Sequence, residues 1–138
     1  MDEMKFYHES IKGILDDEDH LNMYLHSFGK MHKAKLDAAF GCIPDISEIF
    51  SEEVEIYDWG CGQGTASVCL LDFLHSKNIS PNIKHFCLVE PSIAAVERAT
   101  QVIESFCSAY FVKSITKDFD SLSPEDFKKS NIRKVHLF

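Results

Sequence analysis

The chain is 138 residues long, a length that suits a single domain. Hydrophobic residues make up 45% of it, which is enough for a packed core and excludes disordered, collagen-like and disulfide-scaffold classes. Fourteen Lys and Arg against 22 Asp and Glu give a formal net charge of −8. This charge disfavours nonspecific binding to nucleic acids and anionic membranes, and it suits a small or cationic ligand.

No targeting or metal-binding pattern stands out in the sequence. The amino end has no basic region and the purely apolar runs are short, so we predict neither a signal peptide nor a membrane span and expect a cytoplasmic protein. The five cysteines include no C-x-x-C pair, which is typical of reduced core thiols. The seven histidines show no zinc-binding spacing, so no metal site is predicted.

The first 50 residues are predicted to be a helical extension. Apolar side chains recur at helical spacing through the first 40 residues, and Gly41 ends the pattern. Within this stretch the run Asp16-Asp17-Glu18-Asp19 is interpreted as a solvated helix start. Pro44-Asp45 then opens a short turn or helix that contains Ile46 and Phe50. We therefore assign residues 1–50 to the extension and 51–138 to a second part of one compact unit.

Strands and helices alternate over the rest of the chain. The hydrophobic pattern predicts strands at 54–59, 83–89, 109–115 and 133–138, and helices at 65–77, from Ser92 to about Phe106, and at 123–129. Such alternation indicates a parallel sheet with right-handed crossovers. The expected fold is a doubly wound, mostly parallel, Rossmann-like α/β domain of about four strands. The expected strand order is third, second, first, fourth.

The turn after the first strand is rich in glycine and reads Asp58-Trp59-Gly60-Cys61-Gly62-Gln63-Gly64. Glycines allow positive φ and let a ligand lie against the backbone at the carboxyl end of a parallel strand. A purely structural turn is the alternative. A dinucleotide site would have its third glycine where Thr65 stands, and Asp58 would repel a pyrophosphate. We therefore expect the Asp58 carboxylate at the mouth of the loop, where it suits a ligand that carries an ammonium group.

A second acidic residue follows the second strand. Glu90 stands where a carboxylate accepts hydrogen bonds from both hydroxyls of a ribose. The alternative is an ordinary carboxylate at a helix start, because Ser92 is a suitable helix N-cap.

Together, I-Y-D-W-G-C-G-Q-G-T and L-V-E-P-S resemble the first two motifs of class I S-adenosylmethionine-dependent methyltransferases. The resemblance covers roughly residues 54–138, about the first half of that family's catalytic domain. It implies S-adenosylmethionine as cofactor, S-adenosylhomocysteine as product and an acceptor that the sequence leaves unidentified. The cofactor-binding residues that it implies are Asp58, Gly60, Cys61, Gly62, Gln63, Gly64, Glu90, Pro91, Ser92, Asp118 and Phe119.

The resemblance also implies a role for most of these positions. The backbone of the glycine loop would line the methionine moiety, Asp58 would face its amino group, and Glu90 would hold the ribose, with Pro91 and Ser92 beside the adenine. Asp118-Phe119 resembles the acidic residue and apolar neighbour that contact the adenine. Asp120 competes for that role, and surface-turn chemistry is the alternative for both carboxylates.

No catalytic residue is assigned, because bases in such enzymes commonly follow the fourth strand. His136 is interpreted first as a packed or satisfied histidine in an apolar strand and second as a base. We expect a partial or truncated domain that has little activity by itself. A noncatalytic nucleoside-binding or regulatory module is the alternative function, and a dinucleotide oxidoreductase comes third. The fourth strand is expected to be a sheet edge through which the chain forms a homodimer.

Overall fold

The computed structural model describes residues 33–106 and 109–138, and the helices predicted before residue 33 lie outside these ranges. Residues 33–41 are helical, and we label them α1. The later elements are α2 (Ile46–Ser51), β1 (Val54–Trp59), α3 (Thr65–Ser76), β2 (Ile83–Val89), α4 (Ile93–Phe106), β3 (Phe111–Ile115) and β4 (Arg133–Leu137). Of the helices in the described ranges, none has the length and apolar character to cross a membrane.

The four strands form one parallel sheet in the order β3-β2-β1-β4, which confirms the predicted order. The central strand β1 pairs with β2 on one side and with β4 on the other. Strand order therefore reverses at the boundary between β1 and β4. In open α/β sheets, ligands bind beyond the carboxyl ends of the strands at such a switch point.

The described helices pack against one face of the sheet, which we call the first face. Val54 and Ile56 of β1 point to it, because alternate side chains of a strand share a face. The main core lies between this face and the helices, and it contains Phe40, Phe50, Val54, Ile56, Leu70, Leu74, Phe86, Leu88, Val96, Ala99 and Ile103. Ala99 and Ile103 are fully buried, so α4 is held closely against the sheet.

The second face carries a smaller core of Tyr57, Cys87, Val89 and Ile115. The segment between β3 and β4 covers it with two 3₁₀ turns, Phe119–Ser121 and Pro124–Asp126, and within the described ranges no α-helix lies there. A doubly wound sheet, with helices on both faces, therefore stays a prediction.

The helix predicted at 123–129 is wrong, because only Pro124–Asp126 forms a 3₁₀ turn. The Asp126 carboxylate accepts from the Ser123 backbone N–H at 2.9 Å and closes the turn on itself. Phe127 is then extended, and its ring packs against Tyr57 and Trp59. Burial of that ring requires the chain to leave the helical path. The third strand also begins at Phe111 rather than at residue 109.

Candidate functional site

The glycine loop is left-handed at all three glycines, with φ of 65° at Gly60, 52° at Gly62 and 82° at Gly64. The predicted need for positive φ is therefore confirmed. The backbone N–H groups of Gly60 and Cys61 both donate to the Val89 carbonyl, at 2.7 and 3.1 Å. Because Val89 is the last residue of β2, these bonds fix the loop beside Glu90.

Gly64 is required by close packing as well as by φ. A Cβ atom at this position would lie 3.0 Å from the Cβ of Ala99 on α4. The Gly64 N–H donates to the Cys61 carbonyl at 2.8 Å and closes the turn. The loop therefore lies between the carboxyl end of β1 and the surface of α4.

Asp58 lies beneath the loop rather than at its mouth, since its side chain points to the first face and is only 2% exposed. Its Oδ2 accepts a hydrogen bond from the Ser67 hydroxyl at 2.6 Å. Burial raises the pKa of Asp58 to about 6, although the hydroxyl and backbone N–H of Ser67 favour the ionised form. At neutral pH Asp58 is a largely ionised carboxylate held under the glycine loop.

Two further loop side chains are buried. The Cys61 thiol donates to the Gly62 carbonyl at 3.3 Å, and burial holds its pKa well above the ordinary value. Gln63 is 5% exposed, and its Oε1 has no hydrogen-bond partner among the described residues. An unpaired buried acceptor is costly and suits a ligand donor. Gln63 was predicted as a site residue, but no sequence pattern predicts that its Oε1 is a buried acceptor without a partner in the described ranges.

Glu90 is half-buried at the end of β2. Its backbone N–H donates to the Ile115 carbonyl at 3.1 Å, so the carboxyl ends of β2 and β3 are joined at this residue. The Ser92 hydroxyl accepts from the Ala95 N–H at 3.3 Å, which confirms the predicted N-cap of α4. Pro91, between them, is exposed. The structure thus brings Glu90 and the glycine loop together through Val89.

Asp118 and Phe119 lie in the link between β3 and β4. The Asp118 carboxylate accepts from the Ser121 N–H at 2.9 Å, which is the surface-turn chemistry named as its alternative role. Phe119 is 60% exposed, and its Cζ lies 3.7 Å from where a Cβ on Gly60 would be. Phe119 therefore reaches the glycine loop, whereas Asp118 and Asp120 remain at the surface.

Trp59 and His136 meet across the β1–β4 boundary, and the sequence did not predict this contact. The indole Nε1–H of Trp59 donates to Nδ1 of His136 at 3.0 Å. His136 is exposed, so it is satisfied without being packed in the core. Phe138 stacks on Trp59 with ring centroids 6.3 Å apart and planes inclined by 10°.

A separate polar cluster lies on the second face, at the amino halves of the strands. The Glu55 carboxylate accepts from Ser130, from Tyr57 at 3.2 Å and from His85 at 3.0 Å. Burial raises the pKa of Glu55, but the Ser130 bond and the His85 charge outweigh it, so the net shift is downward. A cavity of about 630 Å³ opens here, with Phe111 in its wall. No sequence motif predicts this cluster, because it depends on the pairing of Glu55 with His85 across β1 and β2.

Comparison with models of known protein families gives no match for this chain, and comparison with curated protein sequences gives none. In the ranges 33–106 and 109–138, no group of three or more His, Cys, Asp or Glu side chains is arranged to hold a metal ion. Cys42, Cys61, Cys69 and Cys87 are free thiols, and the last three are buried, as expected of core cysteines.

Proposed function

We propose that this chain carries the S-adenosylmethionine site of a methyltransferase with a Rossmann-like sheet. The observation that carries the proposal is the fixed position of the glycine loop. Its three glycines have positive φ, and hydrogen bonds to Val89 hold it beside Glu90 at the carboxyl edge of the sheet. A loop that exposes backbone and a nearby carboxylate are what an adenosyl ligand with a ribose needs.

The described residues fit such a ligand in three respects. Apart from its sequence neighbours, no residue in the ranges 33–106 and 109–138 has an atom within 4 Å of where a Cβ on Gly62 would be, so this part of the loop is open to close approach. The Gln63 Oε1 is a buried acceptor without a partner in the described part of the chain, and Asp58 supplies a carboxylate beneath the loop. These groups would hold the ammonium-bearing end, and Glu90 would accept from the ribose hydroxyls.

The role of these residues is to bind and orient. The bound cofactor supplies an activated methyl group on a sulfonium, so the chain has little covalent chemistry to perform. Phe119 stands beside Gly60, where it would shield the site from water. Orientation of cofactor and acceptor supplies much of the rate enhancement in such a reaction.

A noncatalytic nucleoside-binding module is the second candidate, and the bond between Trp59 and His136 favours it. Trp Nε1–H is only a donor, so His136 Nδ1 must accept. Neutral His136 then carries its proton on Nε2 and offers no free basic nitrogen. His136, which the sequence offered as a possible base, is therefore a hydrogen-bond donor to a ligand instead.

Calorimetry on this chain tests the cofactor assignment. S-adenosylhomocysteine should bind and NAD should not, and Glu90→Ala should weaken binding by about 1–3 kcal/mol as ribose hydrogen bonds are lost. Glu97→Ala is the matched control, because Glu97 is an exposed carboxylate on the neighbouring helix α4. Tighter binding of NAD than of S-adenosylhomocysteine, or an equal loss in both variants, would contradict the proposal.

A further inference from the structure

Three rings lie together at the switch point of the sheet, and we call them the ring cluster. They are Trp59, at the carboxyl end of β1, and His136 and Phe138, at the carboxyl end of β4. The Trp59 and His136 rings have centroids 6.1 Å apart and planes inclined by 24°. The Phe138 ring lies against both, with its centroid 6.3 Å from that of Trp59 and 6.2 Å from that of His136, and it is 97% exposed. The cluster therefore offers flat apolar ring faces to solvent next to the glycine loop.

One polar group of the cluster has a fixed direction. Because Trp59 donates to Nδ1 of His136, the hydrogen-bond network assigns the neutral imidazole proton to Nε2. Nε2–H is at an exposed residue and has no acceptor in the described ranges. The cluster thus combines ring faces with one donor that is held in place by Trp59.

Phe119 separates this cluster from the proposed cofactor site. Its ring stands edge-on to Trp59, with centroids 6.5 Å apart and planes inclined by 69°. Its Cζ also lies 3.7 Å from where a Cβ on Gly60 would be. A molecule on the ring cluster would therefore lie next to a molecule in the glycine loop without occupying the same space.

We propose that the ring cluster binds the methyl acceptor, and that this acceptor is a small planar heteroaromatic compound with a ring nitrogen or carbonyl that accepts from His136 Nε2–H. The inference rests on the proposed function, because the adjacent cofactor site is what makes this ligand an acceptor. Stacking on exposed rings is tolerant of ring type, whereas the fixed donor selects compounds that present an acceptor in the ring plane.

Charge favours a free compound over a base in a nucleic acid. The chain carries a formal charge of −8, and the exposed Asp118 and Asp120 flank Phe119 beside the cluster. These carboxylates repel a phosphate backbone and leave a neutral heterocycle unaffected.

Trp59 is the only tryptophan of the chain, so its fluorescence reports directly on the cluster. Caffeine is a suitable probe, because it is planar and its polar atoms are all acceptors. At pH 8 caffeine should quench Trp59 with a saturating curve, unlike the linear quenching of N-acetyltryptophanamide. Phe138→Ala should weaken binding about fivefold or more. Phe111→Ala, which removes a phenylalanine that is 65% exposed on β3 and lies outside the ring cluster, should leave it unchanged.

The donor is tested by a pair of substitutions at His136. His136→Phe keeps a ring but removes Nε2–H, and it should weaken caffeine binding about fivefold. His136→Gln keeps both an acceptor for Trp59 and a donor for the ligand, so it should stay within about twofold of the wild type. In ¹⁵N NMR spectra, the neutral His136 ring should show only the Nε2–H tautomer in the wild type and an increased share of the Nδ1–H tautomer in Trp59→Phe. Equal affinity of the Phe and Gln variants would overturn the role of the donor.

Competition separates this inference from the proposed function. S-adenosylhomocysteine and caffeine should bind together, each with its affinity changed by less than about threefold. Mutual exclusion would assign the ring cluster to the cofactor and overturn the inference, as would linear quenching alone or tighter binding of a single-stranded oligonucleotide. Binding of caffeine without any binding of S-adenosylhomocysteine would instead refute the proposed function.

Discussion

The buried carboxylate of Asp58 lowers the free energy of unfolding at neutral pH. Its pKa is raised by burial to about 6 from an ordinary value of 3.8, so the folded chain keeps a proton between these pH values that the unfolded chain has already lost. The contribution of Asp58 to stability therefore falls as pH rises from about 4 to 6 and stays unfavourable above that window. The cost at neutral pH is about 3 kcal/mol. A carboxylate kept at this cost suits a functional role for Asp58.

Asp58→Asn should therefore stabilise the protein at pH 7, by up to about 3 kcal/mol, with a smaller gain at pH 4. Urea unfolding of both proteins at the two pH values measures this difference. Ser67→Ala is the opposite test, because it removes the hydroxyl that favours the ionised form and should destabilise more at pH 7 than at pH 4. An Asn variant less stable than the wild type at pH 7 would contradict the assignment.

The sequence predicted Asp58 as a site residue but placed it at the mouth of the loop. Strand alternation puts it on the same face as Val54 and Ile56, so its burial could have been predicted from parity. Its partner Ser67 could not, because that contact depends on how α3 is placed against β1. The bond between Trp59 and His136 was also beyond prediction, since the two residues are 77 positions apart.

At the scale of elements, the helices and strands that were predicted correctly had strong local sequence signals. β-prone and apolar runs and the Ser92 cap predicted β1, β2 and the start of α4, because each signal acts within a few residues. The helix predicted at 123–129 does not form, because its helical pattern competes with burial of Phe127 on the second face. That burial is a contact between residues distant in the sequence, so no local sequence pattern predicts it.

The close packing of Gly64, in the glycine loop, against α4 can be tested by substitution. Gly64→Ala should cost about 1–3 kcal/mol of stability, because it combines a φ of 82° with a Cβ only 3.0 Å from that of Ala99. The double variant Gly64→Ala with Ala99→Gly removes the 3.0 Å contact with the Cβ but keeps both the positive φ and a 3.2 Å approach to the Cα of residue 99, so its loss beyond Ala99→Gly alone measures these two backbone effects together. Gly41→Ala is the control, since its new Cβ has no atom within 4 Å among the described residues, sequence neighbours aside. Thermal unfolding of the wild type and these four variants distinguishes the causes, and equal losses at Gly64 and Gly41 would contradict the role of close packing and positive φ at Gly64.

At the scale of the whole molecule, the two faces of the sheet differ in their covering. Parallel sheets are usually covered on both faces. Here the described helices cover the first face, and the second face holds short turns, the Glu55 cluster and a cavity. Glu55 can be buried there because Ser130, Tyr57 and His85 all donate to it. The glycine loop and ring cluster lie at the carboxyl edge, apart from this cavity.

The sheet also has two edges, and they differ in their capacity to pair. β4 has β1 on one side and no strand on the other in the described ranges, and β3 has the same relation to β2. Charged side chains discourage pairing between sheet edges. In β4 they are confined to Arg133 and Lys134 at its start, whereas Lys113 stands at the centre of β3. The carboxyl half of β4 is thus the better template for a second copy.

We therefore expect a two-fold dimer through β4, because isologous pairing closes without further growth. Val135 and Leu137 pack in the main core, so a charge at either position would unfold the chain rather than test the edge. Amide hydrogen exchange avoids this problem. As protein concentration rises and light scattering reports a dimer, alternate amides of 133–137 should gain protection, while those of 111–115 serve as the internal control. A strictly monomeric species at high micromolar concentration, or new protection in β3 instead, would show that pairing does not occur at β4.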